Sequence, residues 1–396
     1  MRYRVQTLNN ISKRGLEKLP REHYEVASGI GEPHAILLRS ASMHGLALPA
    51  SVLAVARAGA GTNNIPVAQF SARGVPVFNT PGANANAVKE LVLAGLLLAA
   101  RNICQAWQFA RTLEGDDAAI DAAVEKGKKD FAGIELPGRT LGVVGLGAIG
   151  VEVANAAQAL GMRVHGYDPQ ITVQRAWQMS ASVQQAMSLD DLFSRCEMIS
   201  VHVPLIEATR GLVNAARLAL MPAGGTILNF ARGPIVDEAS VVAALDSGRL
   251  RAYVCDFPSR ALNGHPRVVA LPHLGASTGE AEDNCAAMAA EQLRDFLENG
   301  NIRNSVNFPE AVMARTAGTS RIAIANSNVP NMVGQITTRL AAARLNIADL
   351  LNKSRGEYAY TIIDTDGSVD EALVQSLRGI EGVLSARLVD RAGGGA

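Results

Sequence analysis

The chain has 396 residues, a length that predicts two or three domains rather than one. Hydrophobic residues make up 48% of it, and 37 basic residues balance 37 acidic residues without a basic block. This balance argues against nucleic acid or a lipid surface as a partner, and no apolar run reaches the roughly 18 residues of a membrane span. The four cysteines lack the spacing of metal ligands, so we expect no metal and reduced thiols in a cytoplasmic protein.

The first hundred residues have the pattern of a small α/β unit. Short strands are predicted at 2–7, 35–38, 52–56 and 75–78, with helical or polar segments between them. Residues 87–113 are largely apolar and predict one long helix that can join two domains. A charged segment that ends with glycine and proline follows, up to residue 137.

A complete G-x-G-x-x-G follows the next strand. Residues 141–144 are a short apolar run, typical of a buried strand, and lead directly into Gly145, Gly147 and Gly150. The first glycine permits a tight turn, the second lets a pyrophosphate approach the backbone, and the third lets a helix pack on the strand. Residues 151–160 supply that helix, whose first N–H groups can hold a phosphate. The run predicts a dinucleotide site.

An acidic residue follows at a suitable distance. The strand predicted at 163–167 ends at Asp168, close to the spacing of about twenty residues found in dinucleotide-binding domains. A carboxylate there accepts hydrogen bonds from the ribose hydroxyls and repels a 2′-phosphate, so Asp168 favours NAD over NADP. Further strands at 198–203, 226–230, 253–255 and 268–270 indicate a doubly wound parallel sheet.

The remainder of the chain has a different order of predicted strands and helices. Residues 280–299 predict a helix that returns to the first unit, and residues 300–318 predict a linker. The last eighty residues predict a β-α-β-β-α-β order, which is ferredoxin-like, with strands at 321–325, 346–353, 357–364 and 383–389 and helices at 331–344 and 369–379. We expect the tail, residues 391–396, to be frayed.

Two residues at strand ends have the chemistry that hydride transfer from an alcohol requires. A base must take the hydroxyl proton, and a cation must hold the substrate and polarise the carbon–oxygen bond. Arg232 follows the strand at 226–230 and can grip a carboxylate with two parallel hydrogen bonds. His273 follows the strand at 268–270, and an imidazole side chain can act as acid or base.

These motifs together carry a resemblance. G-L-G-A-I-G with Asp168, H-V-P-L at 202–205, N-F-A-R-G at 229–233, Asp256 and P-H-L-G-A-S-T at 272–278 resemble the D-isomer-specific 2-hydroxyacid dehydrogenases. The C-terminal unit resembles an ACT domain. The resemblance implies an α/β protein with two doubly wound Rossmann-like domains, for substrate (1–92 and 283–310) and NAD (93–282), plus a ferredoxin-like βαββαβ ACT domain (318–396).

The resemblance also implies roles for individual residues. Arg232 would bind the substrate carboxylate and C2 oxygen, His273 would accept the C2 hydroxyl proton, and Asp256 would hold the nicotinamide carboxamide. The implied cofactor-binding set is Gly145, Gly147, Ala148, Ile149, Gly150, Asp168, His202, Pro204, Thr209, Phe230, Arg232, Asp256, His273 and Gly275. The implied substrate-binding set is Arg39, Ser40, Arg57, Ala58, Gly59, Asn84 and Arg232.

Two arginines in the N-terminal unit suit a phosphate-bearing substrate. The implied reaction is the NAD-dependent oxidation of D-3-phosphoglycerate to 3-phosphohydroxypyruvate, which begins the phosphorylated route to L-serine. Two alternatives stay open: a dehydrogenase that reduces 2-oxoglutarate or hydroxypyruvate, or a non-catalytic protein that senses NAD(H).

The sequence departs from the family at the catalytic histidine. The family usually has a Glu about five residues after the Asp at position 256, and this Glu orients and charges the histidine. Here residues 256–261 contain no other acid. We expect His273 to work without that Glu, or to use Glu280 or Glu282 instead.

The ACT resemblance implies an L-serine effector and a homo-oligomer, either a dimer or a tetramer. The implied effector residues are Asn326, Asn328 and Asn346, although position 326 is more typically His. Asn331 stands where a Gly is usual and can still adopt the left-handed conformation that a turn needs. The alternative is that this unit serves dimerisation alone.

Overall fold

The structure is a computed structural model that describes residues 2–389, so the frayed tail predicted at 391–396 lies outside the described residues. Two compact units are present, Met1–Ala83 with Glu282–Ala396 and Asn84–Ala281. No helix within residues 2–389 combines the length and the apolar character needed to cross a membrane.

The strands and helices are numbered in chain order. The strands are β1 (Tyr3–Leu8), β2 (Tyr24–Ala27), β3 (Ala35–Leu38), β4 (Ala54–Arg57), β5 (Val77–Phe78), β6 (Thr140–Val144), β7 (Arg163–Tyr167), β8 (Gln184–Gln185), β9 (Met198–Val201), β10 (Gly225–Asn229), β11 (Leu250–Cys255), β12 (Val268–Ala270), β13 (Ser320–Ser327), β14 (Asn346–Arg355), β15 (Tyr358–Asp366) and β16 (Val383–Val389). The α-helices are α1 (Lys13–Leu16), α2 (Val67–Ala72), α3 (Ala85–Arg101), α4 (Ile103–Arg111), α5 (Asp117–Gly127), α6 (Ala148–Ala159), α7 (Val173–Gln178), α8 (Leu189–Arg195), α9 (Ala215–Leu220), α10 (Glu238–Asp246), α11 (Gly279–Asn299), α12 (Met332–Ala342) and α13 (Glu371–Arg378).

The first unit contains a parallel sheet in the order β2-β1-β3-β4-β5. Four of its strands match the predicted ones, and β2 was not predicted. The sequence Y-E-V-A of β2 is too short and too polar to stand out, yet Tyr24 is buried and pairs with Tyr3 of β1. Long-range pairing therefore decides the structure of this segment.

The second unit contains a parallel sheet in the order β12-β11-β10-β9-β6-β7-β8. Its inner strands are buried on both faces, because separate apolar clusters cover the two sides of the sheet. Strands covered in this way have near-continuous apolar sequences, which is why the sequence reveals them. The doubly wound fold is confirmed, and the strand order reverses between β6 and β9, where ligands bind in such sheets.

The C-terminal part of the first unit confirms the ferredoxin-like prediction. Its elements follow the order β13-α12-β14-β15-α13-β16, and its antiparallel sheet has the order β14-β15-β13-β16. Asn331, at the start of α12, has φ +63°, so it takes the left-handed conformation expected of it. One face of this sheet packs against α12 and α13, and the other face belongs to the core that it shares with α11 and β1.

One sequence-based prediction about a helix is wrong in detail, and one helix was not predicted. The single helix predicted at 87–113 is divided into α3 and α4, because Asn102 between them is left-handed, with φ +51°. The charged segment after residue 113 contains the helix α5, which begins after Asp116, whose side chain caps it by accepting from the N–H of Ala119.

The linker predicted at 300–318 is also wrong. Ile302 and Phe308 are fully buried, and Ile302 pairs with Ala311. The side chain of Asn307 accepts a hydrogen bond from the N–H of Val77 (2.9 Å) at the edge of the parallel sheet. This segment is part of the core, because its few apolar residues find long-range partners that a local pattern does not reveal.

Candidate active site

The residues predicted to bind the cofactor follow the carboxyl ends of strands in the second unit. The glycine loop follows β6, Asp168 follows β7, and His202 follows β9. Arg232, Asp256 and His273 follow β10, β11 and β12 in the same way. Carboxyl ends of parallel strands meet at one edge of a sheet, so these groups share the edge at which such folds bind ligands.

The glycine loop fits a dinucleotide. Gly145 has φ +90°, and a Cβ there would lie 2.8 Å from the carbonyl oxygen of His202. A Cβ on Gly150 would lie 1.9 Å from the carbonyl oxygen of Gly145, so α6 can pack here only with glycine. A Cβ on Gly147 would meet no atom within 4 Å, which leaves open space in front of the first residues of α6, Ala148 and Ile149. That space and the helix N–H groups suit a pyrophosphate.

Asp168 is held in place by the backbone. Its two carboxylate oxygens accept hydrogen bonds from the N–H of Leu146 and the N–H of Gln170, each at 2.8 Å. The carboxylate therefore lies beside the glycine loop, where the ribose of a dinucleotide belongs.

The loop after β9 is closed by hydrogen bonds of one side chain. The Thr209 hydroxyl donates to the carbonyl of Pro204 (2.6 Å) and accepts from the N–H of Ile206 (2.9 Å), which closes residues 204–209 into a turn. His202 lies 2.8 Å from the Ser200 hydroxyl, and burial lowers the pKa of His202 to about 4, so it is neutral at pH 7. Ser200 is fully buried and was not singled out from the sequence.

Arg232 depends on a buried residue that was not singled out from the sequence. Asn229 accepts a hydrogen bond from the N–H of Ala231 (3.1 Å) and donates to the carbonyl of Arg232 (3.0 Å), so it fixes the loop that carries the guanidinium. The Arg232 side chain is exposed, with one N–H donated to the carbonyl of Ala231. The sequence did contain a signal for Asn229, because this residue is the first of the N-F-A-R-G motif.

Phe230 lies differently from what its place in the cofactor set suggests. Its ring is buried in the core and would be 3.0 Å from a Cβ on Gly95 of α3. Any contact that Phe230 makes with a ligand at this edge therefore comes from its main chain.

His273 is oriented by its backbone and by an aromatic ring. Its φ is +48°, and its N–H is shared between the carbonyl oxygens of Asp256 and Leu271, each at 3.1 Å. The ring of Phe257 lies 5.0 Å from the imidazole, centroid to centroid. Within residues 2–389, the imidazole makes no hydrogen bond to a carboxylate, including Glu280, which was one candidate to replace the family's Glu.

Asp256 is a buried carboxylate without a matching donor. Neither of its oxygens makes a hydrogen bond of normal geometry within the described chain. Burial raises the pKa of Asp256, and its interactions with His273, the N–H of Gly275 and Arg232 only partly oppose this rise. The Asp256 carboxylate is therefore a buried acceptor without a donor among the described residues, and it fits a ligand that supplies the donor, such as the carboxamide of nicotinamide.

The predicted substrate residues of the first unit lie at the carboxyl edge of its parallel sheet. Arg39 follows β3 with Ser40, and Arg57 ends β4 and is followed by Ala58 and Gly59. A Cβ on Gly59 would lie 2.3 Å from Nη1 of Arg57, so the guanidinium lies directly against the glycine.

Arg39 and Arg57 lie at the ends of neighbouring strands, because Leu38, the residue before Arg39, pairs with Arg57. Burial raises the pKa of Cys285, while the Thr80 hydroxyl and the charges of both Arg39 and Arg57 lower it. Nη1 of Arg39 is 2.6 Å from Oε1 of Glu282, so the second candidate for the missing Glu is already paired with an arginine. Asn84 belongs to the second unit, where it precedes α3 and makes no capping hydrogen bond with its side chain.

The predicted effector residues are not all together in one chain. Asn326 and Asn328 lie at the end of β13, where Asn326 pairs with Ala359 of β15. Asn346 begins β14 and pairs with Asp366, at the other end of β15. At about 3.3 Å per residue, these positions are about 23 Å apart along the sheet. The Asn326 amide oxygen is buried without a partner within the described residues.

Comparison with known protein families gives a match over the second unit. The profile described as D-isomer specific 2-hydroxyacid dehydrogenase, NAD binding domain, matches residues 93–275. This range contains the glycine loop, Asp168, Arg232 and His273, and it confirms NAD as the cofactor.

Comparisons with individual proteins extend the match. The chain is 32% identical over 343 residues to D-3-phosphoglycerate dehydrogenase of Haemophilus influenzae, covering 83% of this chain and 79% of that protein. It is 38% identical over 298 residues to D-3-phosphoglycerate dehydrogenase of Mycobacterium leprae, but spans only 54% of that relative. The solved structure of NAD+-bound 3-phosphoglycerate dehydrogenase from Entamoeba histolytica matches with a TM-score of 0.60 and 26% identity, covering 78% of this chain and 99% of that one.

Proposed function

The chain belongs to the family of D-isomer-specific 2-hydroxyacid dehydrogenases, and from this premise we propose that it oxidises D-3-phosphoglycerate to 3-phosphohydroxypyruvate with NAD, at the start of the phosphorylated route to L-serine. The observation that carries the substrate assignment is the pair Arg39 and Arg57, which lie at the carboxyl ends of the neighbouring parallel strands β3 and β4, where Leu38 pairs with Arg57. Guanidinium forks match the oxygens of a phosphate. Ser40, the amides of Ala58 and Gly59, and Asn84 complete the proposed substrate set.

The proposed chemistry uses Arg232 and His273. Arg232 grips the substrate carboxylate and the C2 oxygen, and its charge stabilises the negative charge that develops on that oxygen. His273 accepts the proton of the C2 hydroxyl at a ring nitrogen. NAD, when bound, supplies the acceptor for the C2 hydride. Asp256 accepts a hydrogen bond from the carboxamide donor and so orients the nicotinamide ring.

His273 is proposed to work without a carboxylate partner. Glu282 is paired with Arg39, and no carboxylate among the described residues bonds the imidazole. The left-handed backbone of His273 and the ring of Phe257 supply its orientation instead.

The phosphate assignment is tested with a matched pair of substrates. Hydroxypyruvate equals 3-phosphohydroxypyruvate without the phosphate, so NADH oxidation with each separates phosphate recognition from catalysis. We expect the Arg39→Gln and Arg57→Gln variants to lose at least tenfold in kcat/KM with the phosphorylated keto acid, the effect of one charge-assisted hydrogen bond, and little with hydroxypyruvate. Equal losses with both substrates, or a wild-type preference for 2-oxoglutarate, would contradict the assignment.

Catalysis is separated from NAD(H) sensing by a second variant. His273→Ala should abolish turnover while NADH, followed by its fluorescence, still binds through the glycine loop and Asp168. A wild-type chain that binds NADH tightly and turns over none of the three keto acids would instead favour the sensor.

Regulation by L-serine and assembly into a dimer or tetramer are proposed together. A single chain holds Asn326 and Asn346 at opposite ends of its C-terminal sheet, so a serine site that uses both requires two chains. The test is inhibition by L-serine, with light scattering for the oligomer and Asn346→Ala as the variant.

A cytoplasmic location also stays a prediction, which the four free cysteines support.

A further inference from the structure

The first unit contains a cavity of about 370 Å³ between its parallel sheet and its C-terminal sheet. Its walls come from the turn after α2, the end of α13, the strand β16 and the ring of Phe296. This volume lies at the lower end of the range for small-molecule sites. The cavity is separate from the residues to which the proposed function assigns catalysis.

The lining carries three arginines, Arg73, Arg378 and Arg387, and no Asp or Glu. Arg73 donates to the carbonyl oxygens of Leu48 (3.1 Å) and Pro49 (3.0 Å). These acceptors are neutral, so they orient the guanidinium without cancelling its charge. Arg73 is half-buried, which weakens the screening of its charge by water.

Arg387 is held in a similar way. Its Nη2 donates to the carbonyl of Phe296, and its Nη1 donates to the carbonyl of Leu297 at 3.3 Å. The guanidinium carbon lies 4.5 Å from the centre of the Phe296 ring. The ring and the carbonyls fix the plane of the fork, and again no carboxylate within residues 2–389 neutralises it.

Arg378 completes the set. Its Nε donates to the carbonyl of Ala386 (2.8 Å), and its Nη1 pairs with the exposed carboxylate of Glu371 (3.0 Å). A guanidinium has five N–H donors, and each of the three arginines uses two in these bonds. The three cations around one cavity therefore retain unused donors, and, within the described chain, only Arg378 is paired with a carboxylate, which is exposed. This charge balance favours a bound anion.

We propose that this cavity binds a small organic oxyanion, a carboxylate or a phosphate ester, through Arg73, Arg378 and Arg387. Arg73 belongs to the part of the unit that carries the parallel sheet, whereas Arg378 and Arg387 belong to the part that carries the C-terminal sheet. An anion held by all three therefore links the two parts. At the rim, the Ser385 hydroxyl already donates to the carbonyl of Gly74 (3.1 Å). The ligand strengthens a junction that exists without it.

The site is tested with inorganic phosphate as the probe, in calorimetric titrations of the full chain. The background is Arg57→Gln, because Arg57 is assigned to the substrate phosphate and its loss weakens binding at that site. Phosphate should still bind this variant, and adding Arg378→Gln or Arg73→Gln should weaken that binding at least tenfold. Arg339→Gln removes an exposed arginine of α12 outside the cavity and should have no effect.

A second arm distinguishes the two chemistries of ligand. Acetate competes with phosphate if the arginines accept any oxyanion, and a failure of acetate restricts the site to phosphate esters. The circular dichroism spectrum without phosphate checks that each variant is folded, and Arg378→Lys, which keeps the charge but not the fork, replaces Arg378→Gln if that variant is not. The proposal is overturned if Arg57→Gln binds neither probe, or if the cavity variants bind phosphate as Arg57→Gln alone does.

Discussion

The buried ion pair between Arg321 and Asp364 predicts a large and specific loss of stability. Both side chains are fully buried, and Nε and Nη2 of Arg321 donate to the two oxygens of Asp364 at 2.6 and 2.8 Å. The remaining N–H groups of Arg321 donate to the carbonyl oxygens of Asn299, Met313 and Ala314 at 2.9–3.0 Å. All five guanidinium donors are therefore used, and they tie β13 to α11 and to the segment 300–318.

Arg321→Met removes these bonds and leaves Asp364 buried with one donor, the N–H of Thr316 (3.0 Å). Breaking a buried pair in this way costs about 3–5 kcal/mol of unfolding free energy, because an uncompensated charge remains. The double variant Arg321→Met with Asp364→Leu removes that charge but leaves three carbonyl groups unpaired. We expect it to be about 1–3 kcal/mol more stable than Arg321→Met alone.

The assay must report on the first unit. The two tryptophans, Trp107 and Trp177, lie in the second unit, so urea unfolding is followed by circular dichroism and by hydrogen exchange of peptides from β13 and β15. Arg303→Met is the control, since its pair with Asp295 is half-exposed and should contribute less than about 1 kcal/mol. A loss below about 1 kcal/mol for Arg321→Met, or a double variant as unstable as the sum of the single ones, would refute the reasoning.

Three further predictions follow from the same structure. Burial alone would raise the pKa of Asp364, but its hydrogen bonds with Arg321 and Thr316 and the arginine charges hold it below the ordinary value of about 3.9. The ion pair should therefore stabilise the fold fully at pH values above the ordinary pKa, and this stabilisation should be lost as the pH falls through the lowered pKa of Asp364. The unfolding free energy should therefore fall less steeply with acid for Asp364→Asn than for the unchanged chain. Gly150→Ala should abolish NADH binding, measured by fluorescence, and lower the thermal midpoint, because its Cβ meets the Gly145 carbonyl, whereas Gly147→Ala, whose methyl enters the space left for the pyrophosphate, should weaken NADH binding without lowering the midpoint. Asp256→Asn should weaken NADH binding but keep or raise the thermal midpoint by removing a buried charge without a partner, and a lower midpoint with unchanged binding would contradict this.

Much of the second unit could be predicted from sequence because its signals are local. Strands buried on both faces read as apolar runs, and the glycine positions follow from contacts within one turn. The first unit was harder, because β2 and the segment 300–318 owe their structure to distant partners. Tyr24 donates to Glu298, and Asn307 binds the edge of β5, across more than two hundred residues in each case. Neither segment has a periodic pattern of its own.

The candidate site, too, could be predicted only in part from the sequence. Residues that follow strands, such as Arg232 and His273, could be found because chain order and strand ends are visible in the sequence. Asn229 was missed, although it lies within a noted motif, because its role is to hold the loop rather than to touch a ligand. The pairing of Glu282 with Arg39 could not be foreseen, since it depends on how α11 packs beside β3.

The geometry at His273 indicates what the loss of the family's Glu changes. A carboxylate partner does two things for a catalytic histidine: it fixes the orientation of the ring, and it stabilises the positive charge that forms when the ring accepts a proton. Here the shared N–H of His273 and the ring of Phe257 provide the first of these. In the proposed reaction, no carboxylate bonded to the imidazole within residues 2–389 provides the second, so the proton that His273 accepts must be held without such a partner.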